Sequence, residues 1–144
     1  MSALLEVQNL KKYFKTPRGL LHAVDDVTFS VEKGRTMGVV GESGCGKSTL
    51  GRTILRLHDA TSGQVLFDGA DITALSKPAL KNIRREIQMI FQDPFSSLDP
   101  RMSVSQLIAE PLIIYRQYEN KRHLSQQVAQ LMDTVGLARR LDSA

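Results

Sequence analysis

The sequence predicts an α/β fold organised around an anion-binding turn, and three observations carry that prediction. A short apolar run, Thr36 to Val40, leads straight into "GESGCGKSTL", Gly41 to Leu50, and a helix-periodic stretch follows it. Ahead of this unit, "VTFSVE" alternates apolar Val27, Phe29 and Val31 with polar Thr28, Ser30 and Glu32, the period of a half-buried strand. From Ser103 onward the apolar residues recur at helical spacing.

Taken in order, the N-terminal third reads as strands, with Lys33-Gly34 turning the chain after Glu32. Thr36 to Val40 then reads as a short strand of the fully buried type. "KSTLGRTILRLHD" places Leu50, Ile54 and Leu57 on one helical face. Ser62-Gly63 interrupts that period, "QVLF" gives a strand, and Asp68-Gly69 is a strong turn signal. "SKPALKNIRREI" opens as a helix, with Ser76 as cap and Pro78 in the first turn. Ile87 to Phe91 reads as another apolar strand ending at Gln92. Pro111 should kink or break the first of the later helices. In the second, Leu124, Val128, Leu131, Met132 and Val135 form an apolar stripe that Gly136 ends.

Composition narrows the function classes. With 144 residues, 42% hydrophobic and 24% charged, one soluble domain is the natural expectation. No apolar run is long enough to span a bilayer, and the N-terminus lacks a signal-peptide pattern, so a cytoplasmic protein with a peripheral route to the membrane is expected. Cys45 is the only cysteine, which excludes an intrachain disulfide. His22, His58 and His123 show no metal-ligand spacing. Nineteen basic residues against fifteen acidic give a net charge of +4, but the basic residues fall in isolated pairs, so nucleic acid is not expected as a partner.

The glycine stretch is the most specific signal. Gly41, Gly46, Lys47 and Ser48 fit G-x-x-x-x-G-K-[ST], a phosphate-binding loop. A chance match in a chain this long is on the order of one in a hundred. Each residue type has a reason. Glycines free the backbone N–H groups across Ser43, Gly44, Cys45, Gly46 and Lys47 to Ser48 to converge on phosphate oxygens. The helix start adds its own unpaired donors. Lys47 is expected to reach the β- and γ-phosphates, Ser48 to place its hydroxyl on Mg²⁺, and Thr49 to donate to the α-phosphate. Cys45 serves best as a small residue in a tight loop. The second constellation is "MIFQDPFSSLDPRMSV", where Gln92 offers an amide oxygen to Mg²⁺ or an attacking water.

Together these stretches resemble the ATP-binding subunits of ABC transporters, most of all the dipeptide, oligopeptide and nickel importers. "GESGCGKSTL" is similar to their Walker A loop, at 41–48, and "FQDPFSSLDP" to their Q-loop, around Gln92. The resemblance, from Leu5 to about Leu141, implies a P-loop NTPase core with an N-terminal antiparallel sheet portion and the start of a helical subdomain. It also implies ATP and Mg²⁺ as cofactors. Transmembrane permease subunits, a second ATPase subunit and, indirectly, a solute-binding protein are the implied partners. Lys47 and Gln92 would take part in hydrolysis. "LKKYFKT" is similar to the segment with the adenine-stacking aromatic, which maps to Tyr13; a plain edge-strand tyrosine is the alternative. No signature motif, Walker B strand, catalytic glutamate or switch histidine can be identified, and His123 does not supply the last. The core is therefore expected to be incomplete, the N-terminal part of a longer subunit that couples ATP hydrolysis to uptake, while the 144 residues alone are expected to bind nucleotide without turning it over. A non-hydrolysing nucleotide-binding module and another P-loop enzyme, such as a nucleotide kinase, stay open as alternatives.

Overall fold

The computed structural model describes residues 3–93 and 97–137. Two compact units form, Met1–Met89 and Ile90–Ala144, where the sequence suggested one.

The first unit is built on a four-stranded sheet of order β2-β1-β3-β4, comprising β1 (Ala3–Thr16), β2 (Gly19–Glu32), β3 (Ser62–Phe67) and β4 (Ala70–Asp71). Every pairing in it is antiparallel. The long β1–β2 hairpin closes over two residues, with Thr16 opposite Gly19 and the Thr16 hydroxyl donating to the Gly19 carbonyl at 2.8 Å. Asp68 and Gly69 both adopt positive φ, 48° and 78°, which matches the twist of a two-residue hairpin between β3 and β4. β1 carries register shifts between Val7 and Leu10, between Leu10 and Lys12, and between Lys12 and Tyr13. Asn9, with φ 46°, marks the first of these; its side chain donates to Asp26 at 3.0 Å and its N–H to the Thr28 hydroxyl at 2.8 Å.

One face of the sheet packs on α1 (Lys47–Ile54). Leu50 and Ile54, four residues apart on that helix, join Val7, Leu10, Val24, Val65, Phe67 and Ile72 in the core. Thr53 is fully buried, and its hydroxyl donates to the Thr49 carbonyl one turn back, so no polar group is left unmet there. The helix ends earlier than the sequence suggested, because Arg56 turns into the left-handed region at φ 50° and leaves Leu57 exposed. Its guanidinium donates to the Ile72 and Leu75 carbonyls at 3.1 and 2.6 Å, tying the helix end to the chain after β4. A short α2 (Lys77–Ile83) follows. Ser76 occupies its N-cap by backbone, but its side chain makes no capping bond.

Two expected strands do not form. Thr36 to Val40 and Ile87 to Phe91 have no strand pairing among the described residues, and Val40 and Ile90 are 93% and 98% exposed. An apolar run of this kind becomes a strand only when neighbours pair it on both edges and layers cover its faces.

The second unit contains α3 (Val104–Ile114) and α4 (Lys121–Thr134), which pack on each other. Ser103 and Gln106 form a reciprocal capping box at the start of α3. Contrary to expectation, α3 runs through Pro111 to Ile114. Pro111 falls in the last turn, where the missing N–H removes a single bond and few remain to be disrupted. Asn120 caps α4 by accepting from the His123 N–H at 2.9 Å, Val128 is its buried anchor, and Gly136 at φ 73° follows its end. Pro94, Phe95 and Ser96 of the expected loop after Gln92, and the 139–140 arginine pair, lie outside the described residues.

Candidate nucleotide site

The glycine loop crosses from the sheet to α1 and is shaped by its own backbone. Gly44 and Gly46 take φ values of 82° and 95°, and Gly46 is the N-cap of α1. A Cβ on Gly46 would sit 2.1 Å from the Ala23 carbonyl oxygen of β2, so glycine there is a steric requirement. The Cys45 N–H donates to the Glu42 carbonyl at 3.3 Å and closes the turn. The first N–H groups of α1 have no intrahelical acceptor. The first turn also carries no acidic residue, which leaves the helix dipole unopposed for an anion.

Lys47 folds back over the loop. Its ammonium donates to the Gly41 carbonyl at 2.8 Å and the Glu42 carbonyl at 2.6 Å, with Cys45 Sγ at 3.6 Å. An ammonium has three donors, and these three loop contacts fix its position.

The loop forms one wall of a cavity of about 340 Å³ lined by Gly44, Cys45, Gly46, Lys47, Ser48 and Thr49. Its opposite wall is Phe14 of β1 with Leu21, His22 and Ala23 of β2. Of the residues singled out in the sequence, those from Gly44 to Thr49 come together here. Gly41 acts from behind, as an acceptor for Lys47, and Ser43 is exposed in the same loop. Tyr13 does not line the cavity. Its ring stacks on His22, centroids 3.8 Å apart and planes 10° apart, and its hydroxyl donates to Asp25. That bond holds the Asp25 carboxyl below, and the Tyr13 phenol above, their ordinary ranges. Phe14 and His22 were missed by sequence reading. The signal for Phe14 was one residue away, inside "LKKYFKT", and the register shifts in β1 decided which aromatic turned toward the loop. Gln92 lies in the second unit, in an exposed bend just beyond its boundary. Among the described residues no group of three or more His, Cys, Asp or Glu side chains could hold a metal by itself.

No helix among the described residues is long and apolar enough to cross a membrane. Comparison with known proteins shows the family. The family model described as ABC transporter matches residues 24–144. The oligopeptide transport ATP-binding proteins OppF and AppF of Bacillus subtilis are similar, 52% and 48% identical over 93% of this chain. The match covers 44% and 43% of their own lengths, so the chain spans less than half of these curated relatives. Among solved structures, a dimeric bacterial ABC transporter cassette superposes with a TM-score of 0.75 at 25% identity, over 90% of this chain and 56% of that one. The same cassette, with the same score and identity, is also known bound to ADP and Pi. On the family match over residues 24–144, the chain belongs to the ABC transporter family.

Proposed function

We propose that this chain is the MgATP-binding part of an ATPase subunit that drives peptide uptake through membrane permeases. The observation that carries this reading is one cavity lined both by the glycine loop with Lys47 and the start of α1 and by the aromatic Phe14. Likeness to the oligopeptide transport ATP-binding proteins supports peptides as the class of solute. In this reading the subunit sits on the cytoplasmic face of the membrane, against its permeases and a second ATPase subunit, with a solute-binding protein acting upstream.

The chain's own residues divide the work. The N–H groups from Gly44 to Thr49 hold phosphate oxygens, and Lys47, steadied by two loop carbonyls, supplies the charge at the β- and γ-phosphates. The donor set fits Mg²⁺ as a companion of the nucleotide, since the exposed Ser48 hydroxyl at the helix start offers one ligand and phosphate oxygens supply others. When bound, the metal offsets charge developing on the transferred phosphoryl group. Gln92, in an exposed bend, is proposed to report the γ-phosphate to the permease. In a whole subunit assembled with its permeases, Gln92→Ala is expected to reduce transport several-fold more than it weakens ATP binding. Equal losses in the two assays would make Gln92 a simple nucleotide contact.

Stacking of the base is proposed for Phe14 in place of Tyr13, because Phe14 is the aromatic that faces the loop. An aromatic–base stack contributes ~1–3 kcal/mol. Phe14→Ala is therefore expected to weaken ATP binding by roughly 5- to 150-fold and to leave inorganic triphosphate nearly unchanged. Calorimetric titration of both ligands checks this, and equal weakening of the two would remove the stacking role.

A further inference from the structure

Two side chains brace the aromatic Phe14 of the nucleotide cavity without lining that cavity themselves. Lys12 stands two residues before Phe14 on β1, and its ammonium lies over the Phe14 ring, 4.9 Å from the centroid. The His58 ring meets Phe14 at right angles with centroids 5.5 Å apart, the edge-to-face arrangement of two aromatics. His58 belongs to the segment that leads from α1 to β3, and that segment is tied to β1 at three further points. Lys12 Nζ donates to the Asp59 carbonyl at 2.8 Å, and the Thr61 N–H donates to the Lys11 carbonyl at 2.8 Å. The Tyr13 N–H donates to the Thr61 hydroxyl at 2.9 Å.

These contacts separate the two neighbouring aromatics of β1. Tyr13 is engaged by the His22 ring and by the Asp25 carboxylate. Phe14 has no polar atom to anchor it, so ring contacts alone decide which rotamer it keeps. A cation over one face of an aromatic ring is attracted by its π electrons and leaves the opposite face for a flat ligand. We propose that Lys12 and His58 are positioning residues for the nucleotide base: they hold the Phe14 ring where it meets the cavity, so that its stacking surface is formed before a nucleotide arrives. This rests on the stacking role given to Phe14 above and adds the groups that prepare it.

The brace also follows from the path of the chain. α1 begins at the glycine loop, and the segment after it returns to β1 beside Phe14. The phosphate end and the aromatic end of the cavity are therefore joined through one helix and the few residues that follow it. A half-buried phenylalanine without these contacts samples several rotamers, and a base that stacks on it must first order it. That ordering reduces affinity by about two- to tenfold, and it bears only on ligands that carry a base. Inorganic triphosphate, which reaches the loop and not the ring, is indifferent to it.

The test is a calorimetric titration of the full 144-residue chain with MgATP and with inorganic triphosphate. His58→Ala and Lys12→Met, which keeps an apolar stem and removes the ammonium, should each weaken MgATP by about two- to tenfold. Triphosphate should bind both variants as it binds the wild type, which also shows that the loop is folded in them. Lys12→Arg keeps a cation over the ring and His58→Phe keeps the edge-to-face contact, so each should recover most of the loss. In a Phe14→Ala background, His58→Ala should cause no further loss of MgATP affinity, because the ring it positions is gone. Equal weakening of both ligands, or a loss that persists in the Phe14→Ala background, would overturn the proposal. If Phe14→Ala itself weakens neither ligand selectively, the stacking reading falls and this proposal with it. Selective loss of MgATP in Phe14→Ala, with wild-type affinity in His58→Ala and Lys12→Met, would remove this proposal alone.

Discussion

Gly46→Ala is expected to destabilise the first unit by roughly 2–4 kcal/mol and to abolish measurable nucleotide binding. Two causes combine. At φ 95° an L side chain is strained by about 1–2 kcal/mol whatever its surroundings. The added Cβ would also lie 2.1 Å from the Ala23 carbonyl oxygen and 3.3 Å from its carbonyl carbon. That neighbour is backbone of β2, held between the paired residues His22 and Val24, and it cannot swing aside as a long side chain could. Relief must come from the loop itself, which carries the N–H groups proposed to hold phosphate. Gly69→Ala is the matched control. Gly69 also has positive φ, 78°, but nothing lies within 4 Å of a Cβ there. Strain alone, about 1 kcal/mol, is expected at that position, with binding intact. Urea denaturation with a nucleotide titration on each variant checks both parts. A Gly46→Ala protein of wild-type stability would mean that the loop does not pack on β2 as described.

Lys47→Ala should weaken MgATP binding by ~1.5–3 kcal/mol, roughly 10- to 150-fold, through loss of charge-assisted bonds to phosphate. The same substitution removes the two bonds that Lys47 makes to the loop carbonyls. Those carbonyls are exposed and return to water, so only a small loss of stability is expected. A large drop in affinity with a small drop in stability is the signature of a ligand contact. Equal thermal stability and an unchanged titration would remove Lys47 from the site.

The parts of the site that were legible in the sequence are those set by local chemistry. The glycines, lysine and hydroxyls from Gly41 to Thr49 lie on contiguous backbone, and their spacing alone determines the turn and the helix start. The Asp68-Gly69 hairpin and the Gly136 helix end were legible for the same reason. Tyr13 against Phe14 was not. In a strand the two faces alternate residue by residue, and a single bulge exchanges them. β1 has four register shifts against β2 before Phe14, and their positions depend on contacts with β2 and β3 that no window of sequence shows. The apolar runs Thr36 to Val40 and Ile87 to Phe91 fail for a related reason. Strand propensity measures the fit of a side chain to neighbouring strands, and none pairs with these runs among the described residues. His22, which lines the cavity, was passed over because a lone histidine outside ligand spacing carries no signal in the sequence.

The central claim is that the glycine loop is a phosphate cradle, and backbone amide resonances during an MgATP titration test it most directly. The amides of Gly44, Cys45, Gly46, Lys47, Ser48 and Thr49 should shift together and saturate with one dissociation constant. The Phe14 ring should follow the same curve, while Val128 and Met132 in the second unit stay unmoved. Loop amides that remain still as MgATP saturates, or leading shifts at Val128 and Met132 of α4, would contradict the account.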